Sequence, residues 1–306
     1  MIEAVEVLPA AVDAMSSILQ PMSALFIPRK RDDARTPERL RAHYLVEREL
    51  ADRVRAAPTW EARRAIFATM YDDLFRQVPD HPRLAAHGAD TAWREQHIGW
   101  NLAQLKPYLE PGCTFLEIGA GDCALASRIA RDAKQVYAVD ISDQTQGKLP
   151  ANAQLVITDG RSIDVPAGTV DIAFSDQLME HLHPDDAVEQ LRNIHRALKP
   201  GGVYMCVTPN RVYGPSDISA FFDDEPRGFH LKEYTLKEIR EIFVRAGFPR
   251  AHVYIGARGH FLRCPAWCVA AVEGVLGALP AALRRKVADT KVVKALLGLR
   301  VAAIKG

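Results

Sequence analysis

The sequence predicts an α/β fold. It should hold a seven-stranded, mostly parallel sheet flanked by helices, the last strand antiparallel, behind an N-terminal helical cap. Three observations carry that reading. From Pro111 onward, short apolar runs alternate with helical patterns, as expected of a parallel sheet with crossover helices. The first unit reads strand, glycine turn, helix, strand, acid, from Phe115-Leu-Glu-Ile through Gly119 and Gly121 to Asp140. Successive strands then end in acidic or polar residues: Glu117–Gly121, Asp140, Asp159-Gly160, Ser175–Gln177 and Pro209–Arg211. Ligands of such sheets bind outside the carboxyl ends of the strands.

In chain order, residues 1–105 read as a helical cap region and 106–306 as the sheet domain. Thr36-Pro-Glu starts a helix, with Thr36 as cap, Pro37 at the first position and Glu38 facing the dipole. Pro58-Thr-Trp-Glu starts a second, whose Phe67, Met70, Tyr71, Leu74 and Phe75 keep a helical period. A third runs from about Thr91 to Leu105. The basic run Arg29-Lys30-Arg31 is interleaved with Asp32 and Asp33, which reads as a solvated face rather than a nucleic-acid contact.

Beyond the first unit, strands are expected at Ala153–Thr158, Thr169–Phe174, Val203–Thr208, His252–Ile255 and Leu299–Lys305. Pro184-Asp-Asp opens a helix that Lys199-Pro-Gly-Gly stops. Thr235 with Glu238 makes a capping box. Cys264 to Leu283 is apolar apart from Glu273 and approaches the length of a membrane span. Pro265, Pro280 and Glu273 instead argue for two helices, an insertion at about 264–297. That insertion would pack on the sheet, on a second subunit of a homodimer, or on a membrane surface.

The chain has 306 residues, 48% hydrophobic and 25% charged, with a net charge of +1, so no global field attracts nucleic acid or acidic ligands. Five cysteines without a C-x-x-C pair indicate neither a disulfide framework nor a zinc knuckle. They fit a reducing, cytoplasmic setting. Glu3, Glu6 and Asp13 precede any basic residue, the wrong polarity for a secretory signal.

Gly119 and Gly121 allow a sharp turn and a close backbone approach to a ligand, though a plain tight turn would use them too. With Ala124 the loop also satisfies the dinucleotide fingerprint G-x-G-x-x-G/A. Glu117 and Asp122 flank it, and acids there would repel a pyrophosphate but suit a cationic ligand.

From Pro111 to Phe248 the chain resembles the Rossmann-like core of class I S-adenosylmethionine (SAM)-dependent methyltransferases. The resemblance rests on E-x-G-x-G, Asp140, Asp159, Glu180-His181-Leu182, the Leu198-Lys-Pro-Gly-Gly turn and Phe229-His-Leu-Lys-Glu-Tyr-Thr. The loop Thr208-Pro-Asn-Arg with Gly214-Pro-Ser-Asp is similar to bacterial methyltransferases of glycan and surface-polymer synthesis.

The resemblance implies SAM as cofactor and S-adenosylhomocysteine as product. Gly119 and Gly121 would pass the methionine part, Glu117 and Asp122 would lie near its amine, and Asp140 would hold the ribose. Asp159 and Gly160 would meet the adenine, and Ile141, Asp176 and Gln177 would complete the set. Glu117 could equally be a strand-end acid held by backbone N–H groups, and Asp159 a cap for Arg161.

A hydroxyl acceptor would need a base, for which His181, Glu180 and His230 are candidates. Tyr71, Arg211, Tyr213 and Asp217, with Tyr44 and Arg227, could contact a small-molecule or glycan acceptor. Ubiquinone-pathway and small-RNA methyltransferases resemble this region through a Glu-x-x-Glu-His metal motif. Gln177 replaces the first carboxylate here, so a divalent metal is not favoured. Two other functions compete: a nicotinamide-dependent oxidoreductase, disfavoured because Tyr213 has Asp217 rather than Lys four residues on, and a catalytically silent partner subunit.

Overall fold

A computed structural model describes residues 33–82, 84, 91–145, 147, 149–288 and 290–306. The basic run Arg29–Arg31 with Asp32, and the acidic start with Glu3, Glu6 and Asp13, lie outside the described residues.

Two capped helices open the described chain. The Thr36 side chain accepts from the Arg39 N–H at the start of α1 (Pro37–Ala56). Thr59 does the same for Ala62 in α2 (Trp60–Gln77). Leu50, Val54, Met70 and Leu74 form a small core between the helices, and Phe229 from far downstream closes it. This cap is pinned to the rest by Arg63, which makes two hydrogen bonds to the Asp186 carboxylate at 2.6 and 2.7 Å, both side chains buried. The third helix, α3 (Thr91–Leu105), leaves the cap and packs Ile98 and Leu105 on the sheet.

The sheet runs β3-β2-β1-β4-β5-β8-β6-β7. Its strands are β1 (Thr114–Ile118), β2 (Gln135–Asp140), β3 (Ala153–Ile157), β4 (Val170–Asp176), β5 (Leu198–Thr208), β6 (Arg250–Ala257), β7 (His260–Cys264) and β8 (Leu299–Ile304). β1 through β5 pair in parallel, and β8 runs antiparallel between β5 and β6. Alternation along β5 divides the interior. Tyr204 and Cys206 join one core with α5 (Pro184–Ala197) and α6 (Leu236–Arg245). Val203, Met205 and Val207 join the other with α3 and α4 (Ala124–Ile129).

Two expectations need correction. The sheet has eight strands among the described residues, not seven. The extra one, β7, hairpins back on β6 through Arg258-Gly259, both at positive φ, pairing Ala257 with His260. Among the described residues the insertion also holds three helices rather than two: α7 (Ala266–Gly277), α8 (Ala281–Ala288) and α9 (Lys291–Leu297). Thr290 caps α9 by accepting from the Val293 N–H, a start signal that lies beyond the apolar run. Among the described residues no helix is long and apolar enough to cross a membrane.

Candidate active site

β1 ends in a loop that only glycine takes up easily. Gly119 and Gly121 sit at φ +74° and +52°, and a Cβ on Gly121 would meet nothing within 4 Å, leaving room over the backbone. The N–H groups of Gly119 and Ala120 both donate to the Val139 carbonyl, so the loop is held to the end of β2. Asp140 closes it: one carboxylate oxygen accepts from the Gly121 N–H at 2.8 Å, the other from Ser142 at 3.1 Å.

Glu117 lies beneath the loop. One of its oxygens accepts from the Ala126 N–H in α4 at 2.9 Å. Burial pushes its carboxyl up to about 8, and the charges of Asp122, Asp176 and Asp140 push the same way. The cradle is thus short of positive charge, and a cation placed there would relieve it.

The other expected cofactor residues divide. Asp122 is half exposed, caps Ala124 and pairs with Arg94. Gly160 and Ile141 adjoin, since a Cβ on Gly160 would touch Ile141 at 3.4 Å; Ile141 is solvent-exposed, an apolar edge that a flat ring could cover. Asp159 accepts from the N–H groups of Arg161 and Ser162 and from the Ser162 hydroxyl. Burial raises its carboxyl, but those hydrogen bonds outweigh burial and leave it below the ordinary value. Its oxygens are therefore largely committed to their own loop, the capping role the sequence left open.

Asp176 at the tip of β4 accepts from Asn101 at 3.1 Å and faces His97 at 3.3 Å. Neither α3 residue was singled out from sequence, although their i, i+4 spacing puts both on one helix face. Gln177 follows at φ +53°.

Beside this cradle opens a cleft of about 400 Å³ between the cap and the loop after β5. Gln177, Glu180, His181, Tyr71, Asp217 and His230 line it. A Cβ on Gly119 would touch Leu178 at 3.4 Å, and Leu178 directly follows Gln177, which lines the cleft. The rings of His181 and His230 meet edge-on at 4.9 Å. His181 Nδ1 lies 3.0 Å from the Phe229 carbonyl, which requires the proton on that nitrogen.

His230 Nδ1 lies 2.7 Å from the carboxylate of Glu233, itself 1% exposed. Burial lowers the His230 pKa, but the Glu233 hydrogen bond and the charges of Glu180 and Asp217 raise it further, and the net shift is upward. Glu180 is wholly buried and accepts from the Thr208 hydroxyl at 2.8 Å. Burial pushes its carboxyl up to about 7, against the pull of His230.

Glu233, which holds the His230 ring, is another side chain that sequence reading passed over. It sits three residues after His230, inside the Phe229–Thr235 stretch that the sequence offered only as a family motif. In the structure Tyr234 makes a bridge to Asn210, and α6 begins beyond it at Leu236.

The expected acceptor contacts are only partly assembled. Tyr71 lines the cleft and packs edge-on against Phe229 at 5.3 Å. Asp217 also lines it, but accepts from the N–H groups of Ser219 and Gly228 and so shapes the loop. Arg211 and Tyr213 do not line the cleft. Glu238 in the first turn of α6 draws the Arg211 side chain outward to 3.1 Å, and Tyr213 packs against the core under Lys294. Tyr44 is buried on Phe222 with its hydroxyl on Asp223, and Arg227 is paired with Glu225.

Donor atoms of Glu180, His181 and His230 lie within 4.8 Å of one another, and so do those of His43, Glu47 and His81 on the cap side of the same cleft. Either set could in geometry share a cation. In the second, Arg35 donates toward His43 Nδ1 at 3.0 Å, and burial with the neighbouring His81 and Arg35 charges lowers the His43 pKa to about 4.

An acid-lined glycine loop at the tips of a parallel sheet, with an antiparallel strand inserted beyond β5, defines a class I methyltransferase core. The chain belongs to that family: the family described as Methyltransferase domain matches residues 91–252, just over half of it.

Among its relatives, a probable S-adenosylmethionine-dependent methyltransferase of Mycolicibacterium smegmatis is 31% identical over 140 residues, covering 45% of this chain and 52% of that protein. The ubiquinone biosynthesis O-methyltransferase of Caulobacter vibrioides is 31% identical over 115 residues, 33% of this chain and 42% of the relative. The chain spans about half the length of the curated relatives it matches first. Among solved structures, a methyltransferase in complex with the Haloferax volcanii Trm112 activator has a TM-score of 0.50 at 18% identity, covering 72% of this chain and 96% of that one. At that identity the likeness shows the fold.

Proposed function

We propose that this protein transfers a methyl group from SAM to a hydroxyl of a small-molecule or glycan acceptor held in the cleft between the cap and the sheet tips. The observation that carries the reading is His230, which is held by the buried Glu233 and lines that cleft together with Gln177 at the edge of the acid-lined loop.

The residues suit the cofactor. Gly119 and Gly121 keep the backbone bare, Asp140 spans the loop mouth, and Glu117 stands where a positive amine would offset its burial. SAM, when bound, supplies a methyl carbon already activated by positive sulfur. The protein's part is mainly to hold the acceptor in line, and such orientation lowers a barrier by up to roughly 7–11 kcal/mol. His230 takes the hydroxyl proton on Nε2 while Glu233 fixes the ring through Nδ1 and stabilises the imidazolium that forms. Tyr71 and Phe229 on the cap side would shield the reacting oxygen from water.

The family assignment leaves the oxidoreductase alternative without support, whereas the silent-partner alternative calls for an experiment. Calorimetry should show S-adenosylhomocysteine binding to the parent, with Asp140→Ala weakening it at least about tenfold, the worth of one charged hydrogen bond. Tritiated methyl transfer from SAM into hydroxyl-bearing acceptors then tests catalysis. Equal affinity in Asp140→Ala would refute the cofactor site. Binding without transfer to any acceptor in a broad panel would leave the silent-partner reading in possession.

A further inference from the structure

Helix α7 turns its one charge inward. Glu273 is 8% exposed, and its carboxylate accepts from the Asn210 amide at 2.6 Å and the Leu236 N–H at 2.8 Å. The outer face of the helix is therefore uncharged, yet Trp267 on it is 71% exposed and Val275 67%. Val244 on α6 and Leu262 on the edge strand β7 are 62% and 72% exposed. Trp267 and Val244 border a groove of about 750 Å³ between α6 and α7. Lys237, Arg240, Arg245 and Arg250 line that groove, with Glu241 as its only acid among the described residues. Lys237 is 3.9 Å from Glu241, while the three arginines form no ion pair among the described residues.

We propose that this face binds the surface of an anionic bilayer, with Trp267 and its apolar neighbours entering the headgroup boundary and the arginines meeting lipid phosphates. Indole rings favour the membrane interface, and a basic rim beside an apolar helix face is attracted by anionic headgroups. At 12 residues α7 is about 18 Å long, well short of a hydrocarbon core, so it lies on the bilayer rather than in it. Charge also separates this occupant from a second copy of the chain. A two-fold contact through the face would bring both sets of arginines together, which only an anionic partner offsets. Through Glu273 the same helix holds Asn210 and the start of α6, so the docked face is tied to the segment that follows β5.

The test is co-sedimentation of the full chain with vesicles of phosphatidylcholine alone or mixed with phosphatidylglycerol, at low and high salt. Binding to the mixed vesicles only, released by salt, is expected. Tryptophan emission should shift to the blue, and Trp267→Phe should abolish the shift. Arg240→Glu, Arg245→Glu and Arg250→Glu combined should weaken partitioning about a hundredfold. Unchanged S-adenosylhomocysteine binding in that variant shows that it is folded, and Arg240→Gln alone, a milder change, should give a smaller loss. No binding to mixed vesicles would overturn the proposal. So would binding indifferent to the charge reversals, or a dimer in analytical ultracentrifugation that Trp267→Ala disperses.

Discussion

At the scale of single residues, the chemistry depends on which form of His230 faces the acceptor. A base must be neutral to take a proton. Glu233, hydrogen-bonded at Nδ1, and the nearby Glu180 and Asp217 favour the charged ring more than burial disfavours it, so the pKa lies above the ordinary 6.5. Activity should therefore rise with pH through that raised value and be lost below it. Glu233→Gln removes the anion but keeps an acceptor, which should move the acidic limb of a kcat–pH profile to lower pH and depress the plateau. His230→Ala should lower kcat by roughly 10²–10⁴-fold while leaving S-adenosylhomocysteine affinity near that of the parent. If the Glu233→Gln profile coincides with the parent's, His230 is not the titrating base.

At the scale of elements, the cap is joined to the rest by polar contacts such as those of Arg55 with the carbonyls of Arg227, Gly228 and His230, and the Arg63–Asp186 pair from α2 to α5 is the most deeply buried ion pair among them. Arg63→Ala would leave the Asp186 carboxylate buried with only Arg161, 3.9 Å away, and should cost about 3–5 kcal/mol in a urea melt. Replacing both by apolar residues of similar size should restore most of the loss.

This contact also shows what the sequence could and could not disclose. Helix starts were legible because their signals are local: Thr36, Thr59 and the Thr235–Glu238 box each cap the helix they precede. The loop-and-acid pattern of β1 and β2 was legible for the same reason. β7 was missed because Arg258-Gly259 lacks the usual asparagine or aspartate turn signal and the successive apolar residues Phe261 and Leu262 break the polar–apolar alternation. Arg63 with Asp186, Phe229 with the cap, and Asn101 with Asp176 join residues that no short-range pattern relates.

For the molecule as a whole, the acid-lined cradle sets a conflict between stability and ligand readiness. Glu117 rises from 4.5 to about 8 on folding, mainly through burial, and Glu180 from 4.5 to about 7. The folded state therefore binds these protons more tightly than the unfolded chain. The stability they lend is complete below pH 4.5 and drains away as pH rises through the folded values. Within that window each such group costs about 1.4 kcal/mol per pH unit. His43, lowered to about 4 mainly by burial, works in the opposite sense, but only between pH 4 and 6.5, so above neutrality nothing here offsets the two acids. The ligand-free protein should melt at progressively lower temperature from pH 6.5 to 8. Glu117→Gln, which stays neutral throughout, should flatten much of that slope. A cofactor amine beside Glu117 favours the ionised carboxylate, so saturating S-adenosylhomocysteine should raise the melting temperature more at pH 8 than at pH 6.5. Melting curves across that range, with and without ligand, decide it: a thermal shift independent of pH would mean that Glu117 does not face the bound amine.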